Sequence, residues 1–237
     1  MKKKRKKNTS PTKTSQQQKS NPSKTEEHPT QTIYTNLEEA LQNKNHLTHL
    51  QLSHQDLTSL PPEIGELTHL KTLNLSGNFL TQLPPTFHKL KALTWLDLSH
   101  NSFLSFPKAL NHLPNLKYLN LSSNQLENLT TAEKLPHLQT LNLSENLLQT
   151  LGPEISAFPS LQHLNLANNF LRSLPPQLQN LTLLRELDLY GNRFQQLPPT
   201  ILELKNLQKI DMAQNPLSQL AINQYKDKIK HLQIIWS

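Results

Sequence analysis

No cysteine occurs among the 237 residues. That one absence excludes a disulfide framework, a thiolate metal site and a cysteine nucleophile. Glycine occurs only four times, too few for a phosphate-cradling loop besides the turns. Neither Gly-x-x-x-x-Gly-Lys-Ser/Thr nor Gly-x-Ser-x-Gly is present. The 11 histidines form no His-Glu-x-x-His motif and fall at scattered loop and strand positions. Carboxylates stand singly, so no general acid–base pair stands out. There is no stretch of about 18 apolar residues to cross a bilayer as a helix. No apolar segment of a secretory signal follows the basic start, and Lys2 stands where N-myristoylation needs glycine. Valine is also missing, although an ordinary mixed sheet draws heavily on Val and Ile. The expectation is a protein that is not an enzyme and holds no cofactor and no metal.

What is present is distributed unevenly. The formal net charge is +7. Residues 1–32 carry nine basic side chains against Glu26 and Glu27, which accounts for the whole excess. Residues 33–237 hold 15 basic and 15 acidic groups and are neutral as a body. The 1–32 segment has almost no large apolar side chains, so it is expected to be a disordered basic tail. Its Lys2–Lys7 run has three readings: a solubilising tail, a nuclear-import signal in a eukaryote, or weak, salt-sensitive contact with nucleic acid or anionic lipid. No aromatic residue is interleaved with these lysines, which argues against a base-stacking site.

Fifty residues are leucine, and they are periodic. The pattern Leu-x-x-Leu-x-Leu-x-x-Asn-x-Leu-x-x-Leu-Pro runs through eight units that begin at Leu47, Leu70, Leu93, Leu116, Leu138, Leu161, Leu184 and Leu207. The spacing is 23 residues throughout, except for 22 between Leu116 and Leu138. Within Leu73-Asn74-Leu75, period-2 alternation puts both leucines on one face and Asn74 on the other. One such strand is too short to stand alone, but stacked copies share a continuous core. Pro-Pro pairs at 61–62, 84–85, 175–176 and 198–199 mark where the chain leaves the ladder. The asparagine column from Asn78 to Asn215, with Gln55 in the first unit, supplies donors and an acceptor to a buried turn.

This pattern resembles the leucine-rich-repeat family. The second half of the unit, as in Leu60-Pro61-Pro62-Glu63-Ile64-Gly65-Glu66-Leu67, resembles the intracellular 23-residue class of Ras-suppressor-like, plant resistance-like and bacterial proteins. The resemblance implies an α/β solenoid with a concave parallel β-sheet and eight repeats, and parallel crossovers imply right-handed winding. Helical N- and C-terminal caps are expected to close its ends. Thr35-Asn36-Leu37-Glu38 reads as a capping box. Leu220, Ala221, Tyr225 and Ile229 share one helical face, and Leu232, Ile234 and Trp236 alternate like a closing strand. The domains are then a tail (1–32), an N-terminal capping helix (33–46), eight repeats (47–217) and a C-terminal cap (218–237). Some bacterial members of the family carry a cysteine ubiquitin-ligase domain, an activity that this cysteine-free chain lacks.

The eight units also serve as an internal alignment. Columns that repeat, such as Asn74, Asp97, Asn120, Asn142, Asn165, Asp188 and Asp211, are set by the architecture. The column two residues after each starting leucine varies: His49, Thr72, Trp95, Tyr118, Thr140, His163, Glu186 and Lys209. Its phase places it on the concave surface. Adjacent Trp95 and Tyr118 read either as an interface hot spot or as surface aromatics without a role. In the seventh unit Arg185, Glu186, Tyr190 and Arg193 read as a contact patch or as solvated drift. The candidate partner-binding residues are His49, Thr72, Trp95, Tyr118, Thr140, His163, Glu186 and Tyr190. The functional expectation is a monomeric, cytoplasmic scaffold that binds a protein partner on the concave face. The alternative is a nucleic-acid or anionic-surface binder acting through the tail.

Overall fold

The computed structural model describes residues 33–130, 132–225, 229–230 and 232–236; the expected basic tail lies outside them. Each repeat unit opens with a three-residue strand. In chain order these are β1 (His49–Gln51), β2 (Thr72–Asn74), β3 (Trp95–Asp97), β4 (Tyr118–Asn120), β5 (Thr140–Asn142), β6 (His163–Asn165), β7 (Glu186–Asp188) and β8 (Lys209–Asp211). A further strand, β9 (Gln233–Ile235), follows the repeats. All nine form one parallel sheet in sequence order. The central residue of β1–β8 is buried, while the flanking two keep contact with solvent. This is the period-2 alternation read from the leucines.

Six 3-10 helices follow strands: η1 (Pro62–Glu66), η2 (Pro85–Lys89), η3 (Lys108–His112), η4 (Pro153–Ala157), η5 (Pro176–Asn180) and η6 (Pro199–Glu203). Each Pro-Pro pair straddles a boundary, with the first proline as N-cap and the second as the first helical residue. Proline is pre-set for that place, where its missing N–H costs nothing. Ile64, Phe87, Leu110, Ile155, Leu178 and Ile201 point inward from these helices and are buried. Together with the strand leucines they form one continuous core.

The asparagine column ties the stack together. Asn101 Oδ1 accepts from the Leu80 amide at 2.9 Å. Its Nδ2 donates to the carbonyls of Leu75 (2.9 Å), Leu98 (3.1 Å) and Ser99 (3.1 Å). Asn78, Asn124, Asn146, Asn169, Asn192 and Asn215 repeat the arrangement. Gln55 does not: its Nε2 reaches the Thr35 carbonyl, and its amide donates to Asn78.

Two short α-helices flank the repeats, α1 (Leu37–Gln42) and α2 (Gln219–Tyr225). The N-cap of α1 is Asn36, not Thr35: Asn36 Oδ1 accepts from the Glu38 and Glu39 amides at 2.8 and 3.2 Å. The capping-box reading is therefore displaced by one residue. Asparagine caps as well as threonine or better, and its position leaves Ala40 pointing into the core. At the other end, Leu220 is 80% exposed and does not join an apolar helix face. Ile229 is buried but lies beyond α2, and the Ala221 and Tyr225 side chains lie outside the described residues. The expected closing strand is present as β9, with Leu232 buried and Ile234 and Trp236 packed against the core. No helix among the described residues is long and apolar enough to cross a membrane.

Candidate interaction face

The exposed face of the sheet is built from two columns of side chains. The first holds His49, Thr72, Trp95, Tyr118, Thr140, His163, Glu186 and Lys209 as direct cross-strand neighbours. Seven of the eight expected contact residues therefore form one unbroken row. Tyr190 does not belong to it. It sits two residues beyond β7, 39% exposed, and its amide donates to Asp188 Oδ1.

The second column explains its own repetition. Asn74, Asp97, Asn120, Asn142, Asn165, Asp188 and Asp211 each accept, through Oδ1, the amide two residues on, at 2.8–3.0 Å. Asn and Asp serve equally because each presents an Oδ1 to the turn. Next comes a left-handed position, occupied by Gly77 and Gly191 but also by His54, His100, Ser123, Glu145, Asn168 and Gln214, all with φ between 52° and 66°. His54 and His100 are thus turn residues. Among the described residues no group of three or more His, Cys, Asp or Glu could hold a metal ion.

Trp95 and Tyr118 are stacked, with ring centroids 5.1 Å apart and planes inclined by 7°. That separation is close to the spacing of neighbouring strands, about 4.8 Å, so the rings stand face to face across β3 and β4. Burial raises the Tyr118 phenol above its usual pKa, and Asp97 adds to the shift. At one end of the row, burial and then Lys71 hold His49 below the usual histidine value.

Beyond Tyr118 the face opens into a cleft of about 250 Å³ that runs over β5–β8 and includes Thr140, His163, Glu186, Asp188 and Asp211 in its lining. His163 Nδ1 and Glu186 Oε2 are 3.3 Å apart. Burial raises the Asp188 carboxyl above the usual carboxylate range; the Tyr190 amide opposes the rise, Asp211 adds to it, and Lys209 opposes it. In the seventh unit the Arg193 guanidinium lies 4.4 Å over the Phe170 ring.

Two features were not read from the sequence. One is the column after the asparagines, which includes the exposed apolar Phe79 and Leu147 at 56% and 41% exposure. It varies between units, so the internal alignment that singled out Trp95 could have found it. The other is the cleft, whose lining runs from Tyr118 across Thr140 to Asp211.

The family model for the leucine rich repeat matches residues 45–103, 105–148 and 136–194. The chain belongs to the leucine-rich-repeat family. Such repeats are generally non-catalytic binding domains. Among solved structures, an internalin (InlF) from Listeria monocytogenes aligns with TM-score 0.70 and 18% identity, covering 85% of this chain and 57% of that one. Internalin C2 (InlC2) from the same organism aligns with TM-score 0.70 and 24% identity over 83% of this chain and 84% of that one. The receptor in a TLR13–ssRNA13 complex aligns with TM-score 0.72 and 30% identity over 85% of this chain and 30% of that one. The chain thus spans just over half the length of InlF and under a third of TLR13. A search of curated proteins finds no match.

Proposed function

We propose that this protein is a non-enzymatic scaffold that binds a protein partner across the exposed, concave face of its sheet, with Trp95 and Tyr118 as the energetic centre. The observation that carries this reading is their stack, a preformed aromatic surface on two adjacent, paired strands. Stacked aromatics supply large contact area at low ordering cost and dominate many interfaces. His49, Thr72, Thr140, His163 and Glu186 extend the surface along the same row, and Tyr190 adds a contact at its margin. The finer assignments belong to this proposal: the intracellular 23-residue class, right-handed winding, a cytoplasmic monomer, and a 1–32 tail, 33–46 cap, 47–217 repeats and 218–237 cap.

The test uses the full chain. A photo-crosslinker placed at Thr72, beside Trp95, identifies the partner, and the partner is then purified. The Trp95→Ala/Tyr118→Ala double variant should bind it at least about 100-fold more weakly, in line with the loss of two hot-spot residues. Equal affinity of variant and parent would sink the proposal.

A second reading rests on the Lys2–Lys7 run. A tail acting on nucleic acid or an anionic surface gives salt-sensitive binding that disappears when residues 1–32 are deleted. Under the leading proposal the same deletion leaves partner affinity nearly unchanged.

A further inference from the structure

We infer that the gap above Thr140, between Tyr118 and His163, is a socket for an arginine side chain of the partner protein. This rests on the protein-binding reading above and specifies the chemistry of the partner.

The argument begins with spacing. Tyr118, Thr140 and His163 are consecutive in the row, so the outer two are separated by two strand intervals, about 9.5 Å. A planar group between two rings needs about 3.5–4.0 Å of clearance on each side, or about 7–8 Å in all. The gap therefore accepts one planar group and not two. Trp95 fills the equivalent space on the other side of Tyr118 and stacks there at 5.1 Å. That leaves one phenol face turned toward Thr140, where a hydroxyl and a methyl leave the space open. The cleft starts from this wall.

Charge selects the occupant. The cleft lining holds three carboxylates, Glu186, Asp188 and Asp211, against one ammonium, Lys209. Glu186 reaches back to within 3.3 Å of His163 Nδ1, so a carboxylate is held against the side chain that walls the gap. An anionic guest, including a nucleic-acid phosphate, meets repulsion here. A cation is attracted, and the flat Tyr118 face favours guanidinium over ammonium. Guanidinium is planar and weakly hydrated, stacks on aromatic faces, and presents in-plane donors to a carboxylate.

The experiment titrates the full-length, isotope-labelled protein with N-acetyl-arginine methylamide, followed by amide shifts. Parallel titrations use the lysine, citrulline and phenylalanine analogues and a short oligoribonucleotide. The expected result is saturable shifts centred on Thr140 and His163 for the arginine probe, with at least fivefold weaker response to the others. Thr140→Phe, which fills the gap, and Tyr118→Ala should each abolish it while shifts elsewhere stay in place. Glu186→Gln should weaken it severalfold. Equal response to citrulline, phenylalanine or RNA, or an arginine response indifferent to both Thr140→Phe and Tyr118→Ala, overturns the inference. If the probe fails while an identified partner still depends on Trp95, the socket falls and the binding-face reading stands. If the probe binds but the partner is indifferent to Trp95, the binding-face reading falls, and with it the assignment of the arginine to a partner.

Discussion

Asn124 Oδ1 accepts a hydrogen bond from the Phe103 amide at 3.0 Å, across one full repeat of chain. The same side chain donates to the Leu98, Leu121 and Ser122 carbonyls. One buried amide thus satisfies backbone groups of two successive units. Asn124→Ala takes the acceptor from the Phe103 amide, at about 1–3 kcal/mol, while the three carbonyls keep second donors in Asn101, Asn146 and the His100 amide. Urea unfolding should show a loss of at least about 1 kcal/mol. A loss below about 0.5 kcal/mol, the range of ordinary surface changes, would contradict this role.

Asp188 should be a stability liability at neutral pH. Its folded-state pKa is raised, first by burial and then in part by Asp211. A raised carboxyl binds its proton more tightly when folded, so stability falls as pH rises through that value. Asp188→Asn matches the Asn of four other units and keeps the Oδ1 acceptor for the Tyr190 amide. The variant should be more stable than the parent at pH 7. The gain should shrink on acidification and vanish below the ordinary aspartate value of about 3.9. Thermal melts across that range provide the check; a gain that persists at pH 3 would refute it.

Two glycines separate backbone contact from side-chain contact. A Cβ on Gly65 would stand 2.5 Å from the Thr86 carbonyl oxygen of the next unit. A Cβ on Gly152 meets only the Glu154 carboxylate, the mobile end of a side chain. Gly65→Ala should cost about 1–3 kcal/mol as overpacking, whereas Gly152→Ala should stay within about 0.5 kcal/mol. Paired denaturant titrations measure both, and equal effects would reject the distinction.

Leu220 and Leu119 test where leucine is structural. Leu119 is wholly buried at the centre of β4, whereas Leu220 is 80% exposed. Leu119→Ala should cost about 2–5 kcal/mol. Leu220→Ser should leave stability within about 0.5 kcal/mol. A large loss from Leu220→Ser would mean that this side chain is buried in solution.

The repeats were legible because each unit restates the same physical demand. The leucine phase located every strand of the eight units, and the proline pairs located the starts of four 3-10 helices. Single-copy features were harder. Thr35 and Asn36 are both good caps, and only the backbone decides that Asn36 is used. Leu220 fits a helical stripe in the sequence, but a seven-residue helix presents it to solvent. Of the candidate site, the row from His49 to Glu186 follows from strand phase alone. Tyr190, read with the seventh-unit patch and not with that row, replaces a serine of a turn column and lies outside the row. The cleft was invisible because its lining is drawn from five successive strands.

The fourth unit, the one that is a residue short, has a mechanical consequence. Among the described residues no 3-10 helix lies between β4 and β5. The helices therefore fall into two runs, η1–η3 and η4–η6. Between them the segment contributes the buried Leu129, Ala132 and Leu135 and hydrogen bonds such as Glu133 N to Asn111 Oδ1 at 2.9 Å and Leu135 N to Ala157 O at 3.0 Å. In a stack held by nearest-neighbour coupling, the weakest junction is where cooperative order parts. This molecule should open as two blocks hinged at the fourth unit. That seam lies between the strands that carry Tyr118 and Thr140, so strain delivered by a bound partner would fall on that junction.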